Sequence, residues 1–330
     1  MAPILQTIER SLAASPIREH RSCIVWCLVD GKPGHENQVR GLVRALSERC
    51  DIDCHWIRIE RDQRQWWNRL RGKFPQGAGL PRPDFILGAG HRTHPAMLAA
   101  RQAHGGQAIV LMKPTWSIDS FDLCLIPEHD GVAPRKNVVM TQGVINTITP
   151  SSDQHDHCGL LLVGGPSKHH HWNDEAVARQ IEILVHESFD VDWTLSTSRR
   201  TPASFVALLK SWGLPHLEIV PFEETTPSWV PRHLASAGRV WVSEDSISMV
   251  YEAVTSGAHV GLLETGRRRD GRVVRGVEQL RAEGRVTSFS HWQATGNMNS
   301  PSGTLNEADR CAEVIYTSWQ ANRTTADAAI

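Results

Sequence analysis

Apolar residues in this chain come in short, nearly unbroken runs, and between the runs they recur every three or four positions. The first run, "SCIVWCLVD" (22–30), ends at an acid and has the continuity of a parallel strand buried on both faces. Directly after it, "ENQVRGLVRALSERC" (36–50) places Val39, Leu42, Val43 and Leu46 on one helical stripe, so the two segments form a strand–helix unit. The same alternation predicts strands over 52–60, 82–90, 107–115, 122–130 and 137–146, with a helix over 94–104. A polar stretch, "TITPSSDQHDH" (147–157), reads as a linker. Beyond it the pattern restarts, with a strand from 158, a helix over 173–188, a strand over 191–196, a helix over 203–212 and a strand over 217–222. Strand, helix and strand then follow through 239–264, and one closing helix is predicted over 306–320.

This alternation predicts an α/β fold of two Rossmann-like doubly wound domains facing a central cleft. The expected organisation is an N-terminal extension (1–20), a first domain (21–152), a second domain (153–303) and a closing helix with a tail (304–330). A length of 330 residues agrees, since it fits two cores of roughly 150 residues each.

Composition narrows the class. With 40 % apolar and 22 % charged residues the chain reads as a soluble globular protein. Lys plus Arg (35) nearly equals Asp plus Glu (36), so no global field draws in nucleic acid, and any anion site must be local. The basic clusters "GRRRDGRVVR" (266–275) and "STSRRTP" (196–202) are either such sites or solvated faces. Seven cysteines without a C-x-x-C pair read as reduced thiols of a cytoplasmic protein. No apolar stretch approaches the length of a membrane span, so any membrane contact is expected to be peripheral. Tryptophan (12) far outnumbers tyrosine (2), and Trp66 and Trp67 in "RQWWNRL" read either as helix packing or as a patch for a partner or membrane surface.

Candidate chemistry sits on glycine-bearing turns after strands, because ligands of open α/β sheets bind beyond the strands' carboxyl ends. "GAGHRTH" (88–94) lacks the third glycine of a dinucleotide fingerprint, and "DGKPGHE" (30–36) has no Gly-Lys-Ser/Thr, so dehydrogenase and kinase readings weaken. An epimerase with a dinucleotide fingerprint and a Tyr-x-x-x-Lys pair is excluded too, since tyrosine stands only at 251 and 316 with no lysine four residues on. In "GGPSKHHHW" the amides of Gly164 and Gly165, with Ser167 and Lys168, suit a phosphate. The histidines that follow point in different directions, and no tightly bound metal is expected. In "SEDSISMVYEAVTSG" (243–257), Ser243, Asp245 or Ser246 can cap a helix whose first turn faces a diphosphate. Glu252, about two turns further in, can accept both hydroxyls of a ribose.

That last segment resembles the donor-binding signature of GT-B glycosyltransferases such as the lipid-linked N-acetylglucosamine transferase of peptidoglycan synthesis. The resemblance implies Ser246, Ser248 and Met249 near the diphosphate and Glu252 on the ribose. Four motifs together, "DGKPGHENQVRGL", "LLVGGPSK", "STSRRTP" and "SEDSISMVYEAVTSG", resemble the mitochondrial-fission (elongated mitochondria) proteins and their bacterial relatives, a GT-B-like former domain of unknown function. Plant members of that family are associated with recruiting a dynamin-related protein to mitochondria.

Two functions are therefore expected in competition. One is a metal-independent glycosyltransferase with a nucleotide-sugar donor, UDP-linked as the first choice, and an unknown acceptor of lipid-linked or surface-polysaccharide type. In it Arg199 and Arg200 neutralise the leaving diphosphate, and His35 is the candidate base, with Asp30, Glu36 and Glu128 as rivals. Gly31, Gly34, Asn37 and Gln38 form the acceptor-side loop. The other is a non-catalytic adaptor or scaffold that retains the fold.

Overall fold

The computed structural model describes residues 22–60, 72–301 and 303–327. Trp66, Trp67 and the expected N-terminal extension lie outside the described residues.

The first sheet takes up β1 (Cys23–Val29), β2 (Ile52–Arg58), β3 (Phe85–Ala89), β4 (Gln107–Leu111), β5 (Leu123–Pro127) and β6 (Val138–Thr141). All its pairings are parallel, in the order β2-β1-β3-β4-β5-β6. β1 is apolar on both faces because both are covered. Cys23, Val25 and Cys27 join one core layer, and Trp26 and Leu28 join the other. Helices α1 (Pro33–Ser47) and α2 (His94–His104) follow β1 and β3. α1 buries Val39, Leu42 and Leu46 as the stripe predicts, with Val43 half-buried beside them. It starts earlier than the expected 36, at Pro33, because proline's fixed φ and missing N–H suit a first helical position.

The second sheet holds β7 (His155–Leu162), β8 (Asp192–Ser196), β9 (Leu217–Val220), β10 (Ala237–Ser243), β11 (His259–Leu263) and β12 (Thr287–Ser288), in the order β12-β11-β10-β7-β8-β9. Its helices are α3 (Asp174–Glu187), α4 (Ala203–Trp212), α5 (Trp229–Ser236), α6 (Ile247–Ser256), α7 (Arg272–Ala282) and α8 (Phe289–Thr295). β7 begins inside the stretch read as a linker. His155, Asp156 and His157 are exposed, yet His155 pairs with Ala237 of β10, so this polar end of the strand is held by the ladder rather than by burial. The expected strand over 137–146 stops at Thr141, and its remainder crosses to the second domain.

Each sheet reverses direction once. In the first the chain leaves β1 toward β2 and returns to β3 on the other side; in the second it leaves β7 toward β8 and returns to β10. Such switch points open a crevice at the strands' carboxyl ends. Two crevices therefore exist, one bounded by the loops after β1 and β3, the other by those after β7 and β10.

The carboxyl ends of the sheets face a shared cleft. Asn146 donates to Thr255 of α6 (3.1 Å), and the ring of Tyr251 lies where a Cβ on Gly143 would fall 2.3 Å from it. The turn after β5 reaches α7, where Gln279 donates to Glu128 at 2.7 Å and Arg275 to the His129 carbonyl at 3.3 Å. The closing helix α9 (Glu307–Asp327) returns to the first domain, burying Cys311, Ala312 and Ile315 in its core and pairing Asp309 with Arg49 at 2.7 Å. Among the described residues no helix is long and apolar enough to cross a membrane.

Candidate functional site

On the first crevice the loop "DGKPGHENQ" is short. Gly31, at φ +78°, makes the turn, and His35 falls in the first turn of α1. The imidazole Nδ1 lies 3.0 Å from both carboxylate oxygens of Asp30, whose side chain is wholly buried while that of His35 is 20 % exposed. A neutral ring that donates Nδ1–H to Asp30 carries its lone pair on Nε2. Sequence alone treats Asp30 and His35 as alternatives, whereas the fold joins them in one dyad.

Gly90, on the turn after β3, makes room for this dyad. A Cβ there would stand 2.2 Å from His35 Nδ1, and its φ of +86° disfavours any side chain. Behind the dyad His94 is buried beside Thr115, its Nδ1 3.3 Å from the hydroxyl, and burial lowers its pKa to about 4. His94 is thus neutral at physiological pH.

The other acceptor-side residues divide. Gln38 is buried and donates to the Gly34 carbonyl and to Met112 Sδ, so it holds the loop. Asn37 and Gly34 are exposed, with open space over Gly34. Of the rival bases, Glu36 pairs with Arg40 at 4.0 Å, and Glu128 is engaged by Gln279.

On the second crevice the loops after β7, β8 and β10 are pinned together. Gly164 N–H donates to Ser243 Oγ (2.7 Å), and Gly165 N–H to Asp245 Oδ2 (3.1 Å). These amides, expected to face a phosphate, already have partners. The glycines serve close approach instead: a Cβ on Gly164 would lie 2.3 Å from Asp245, and one on Gly165 2.2 Å from the Arg200 carbonyl. Arg200, expected on the diphosphate, is held by Asp245 at 2.8 Å and by the carbonyls of Gly165 and Pro166. Ser167 Oγ accepts from the amides of His169 and His170, closing its own turn. Lys168 and Arg199 remain exposed, Arg199 with its guanidinium 5.5 Å from the Phe222 ring centre.

Ser246 begins α6 without capping it by its side chain, which leaves the positive end of the helix dipole, just past the carboxyl end of β10, without a side-chain acceptor. Ser248 is exposed beside them, and Met249 packs on the core. Glu252 is half-buried and takes no hydrogen bond or ion pair from the described residues. Desolvation raises its pKa from 4.5 to about 7. The folded state therefore favours the protonated carboxyl. Its contribution to stability is fully present below pH 4.5 and is lost as pH rises through about 7. Urea denaturation of wild type and Glu252→Gln from acid to mild base should show their midpoints diverging, the wild type losing about 3 kcal/mol relative to the variant.

Sequence reasoning missed three things here. In the sequence Asp245 reads only as a cap, although an acid two residues after an apolar strand is a hint of a loop clamp. The helix α7 lay hidden in an arginine-rich stretch. The link from Asp30 to His35 needed the turn geometry.

A family model described as Mitochondrial fission ELM1 matches residues 33–319. No curated protein matches the sequence significantly. Among solved structures, UDP-GlcNAc 2-epimerase from Neisseria meningitidis bound to UDP-GlcNAc is 12 % identical, with a TM-score of 0.57 over 89 % of this chain and 100 % of that one. Another UDP-N-acetylglucosamine 2-epimerase is 16 % identical, with a TM-score of 0.56 over 90 % of this chain and 96 % of the other. The heptosyltransferase WaaC of E. coli with ADP is 14 % identical, with a TM-score of 0.45 over 79 % of this chain and 99 % of that one. At these identities the likeness is one of fold, and the arrangement is GT-B-like. Because epimerases share it, the missing dinucleotide fingerprint excludes an epimerase that needs a dinucleotide, and not one built on this fold.

Proposed function

The chain belongs to the Mitochondrial fission ELM1 family, and we propose that it is a metal-independent glycosyltransferase of GT-B type that takes a nucleotide-activated sugar. One observation carries this reading: Glu252, a half-buried carboxyl group with no partner among the described residues, stands on α6, whose N-terminus has no side-chain cap and follows the carboxyl end of β10. A carboxylate so placed accepts two ribose hydroxyls, and the amides above it take a diphosphate. UDP is the first carrier to test, since a neighbour of the same fold was solved with UDP-GlcNAc.

In the proposed reaction His35 Nε2 takes the proton of an acceptor hydroxyl, with Asp30 stabilising the imidazolium that forms. The freed oxygen bonds to the anomeric carbon as the bond from that carbon to the diphosphate oxygen breaks. The leaving nucleoside diphosphate keeps the electron pair, and its charge is met by the first turn of α6, Lys168 and Arg199.

A second reading, a scaffold that keeps the fold without turnover, is favoured by Arg200 and the amides of Gly164 and Gly165, which are engaged within the chain. A thermal-shift panel of UDP-, GDP-, ADP- and CMP-linked ligands separates the two. At a hundredfold excess over the dissociation constant, binding adds about 2.7 kcal/mol, which raises the midpoint by roughly 5 °C. Glu252→Ala should abolish that rise. Silence across the panel removes the donor-site reading, and an equal response in the variant removes Glu252 from it.

A further inference from the structure

A groove of about 570 Å³ opens between the turn after β5 and α7. Its walls carry Glu128 from the first domain and Arg267, Asp270, Arg275, Glu278 and Gln279 from the second. We propose that this groove holds the glycosyl group of the nucleotide sugar; the inference rests on the donor reading above and extends it to residues that reading does not use.

Size and chemistry agree. The volume falls within the range of roughly 300–1,000 Å³ usual for small-ligand sites. Two guanidiniums and an amide stand among three carboxylates on walls that also include Val274, Gly131 and the methylene stems of these side chains, so hydrogen-bond donors and acceptors rise from a largely apolar surface that suits the C–H faces of a sugar. A phosphate would meet the carboxylates and be repelled. An apolar ligand would strip water from charged groups and return no hydrogen bonds. A sugar, whose every hydroxyl both donates and accepts, satisfies such a lining.

Bonding capacity is left over for it. Gln279 uses its Nε2 on Glu128 and on Glu283 (2.9 Å), which leaves its carbonyl oxygen to accept. Asp270 accepts nothing among the described residues, and Arg275 spends one N–H on the His129 carbonyl. Glu278 is tied to Arg267 and Arg281 and so shapes the wall.

The groove also adjoins the place of the diphosphate. Gly276 of α7 packs on Ile247, the first residue of α6, with its Cβ position 3.1 Å from Ile247 Cδ1. A sugar linked to a diphosphate on the first turn of α6 therefore reaches the groove without leaving the cleft.

The test compares two ligands on three proteins by calorimetry: the nucleotide favoured by the panel and its hexose-linked form, starting with UDP and UDP-N-acetylglucosamine, on wild type, Asp270→Ala and Gln279→Ala. The wild type should bind the sugar-linked form about tenfold tighter. Both variants should lose that factor and keep nucleotide affinity within about twofold. Variants that retain the full factor overturn the groove assignment alone. If the wild type binds neither ligand, the donor reading falls and the groove assignment falls with it.

Discussion

Replacing Asp245 with alanine should lower the free energy of unfolding by about 2–4 kcal/mol, more than most single substitutions. Its carboxylate is buried, accepts from Gly165 N–H and pairs with Arg200, so it ties the loops after β7, β8 and β10 to one point. Loss of the side chain leaves a buried amide without a partner, which costs about 1–3 kcal/mol. Loss of the ion pair adds less than the usual penalty for a broken buried pair, because the Arg200 side chain is 41 % exposed and water can take over its charge. Asp245→Asn, which can still accept from Gly165 N–H, should cost only about 1 kcal/mol, and Arg200→Ala a similar amount. Urea midpoints of the three variants check the order; an alanine effect no larger than the asparagine effect refutes the clamp.

His35→Ala should reduce transfer by about 10²–10⁴-fold while changing nucleotide affinity by less than about threefold, because in the proposed reaction His35 acts in the chemical step and the donor is bound on the other domain. Asp30→Asn is the more revealing variant. With the amide oxygen kept on Lys32 N–H, the new NH2 group donates to Nδ1, which puts the ring proton on Nε2 and turns the proposed base into a donor. A comparable loss of rate with unchanged donor affinity is expected. Consumption of nucleotide sugar and calorimetric binding, measured on the same preparations, separate the two effects, and a variant that turns over normally removes the dyad from the chemistry.

The strands were the most legible part of the chain because burial on both faces writes itself as an unbroken apolar run, as in β1, β3 and β10. The periodic helices α1, α2 and α3 were legible for the complementary reason. What escaped had other support. The start of β7 is polar, since its exposed residues are held by pairing with β10. α7 is rich in arginine because the cleft, not the core, receives much of its surface, and only Val274, Val277 and Leu280 are buried hydrophobics there. The glycines at 164 and 165 were visible as a site, yet sequence cannot tell a glycine that admits a ligand from one that admits a neighbouring loop. His35 and Asp30 stood out singly; the space that Gly90 leaves for them is a property of three segments meeting.

A crystal structure of the protein with UDP-N-acetylglucosamine tests the whole reading at once. The ribose hydroxyls should lie within hydrogen-bond distance of the Glu252 carboxylate, the diphosphate over the first turn of α6, and the hexose in the groove against Asp270 and Gln279. A nucleotide bound away from Glu252, or a cleft left empty at saturating ligand, would contradict it.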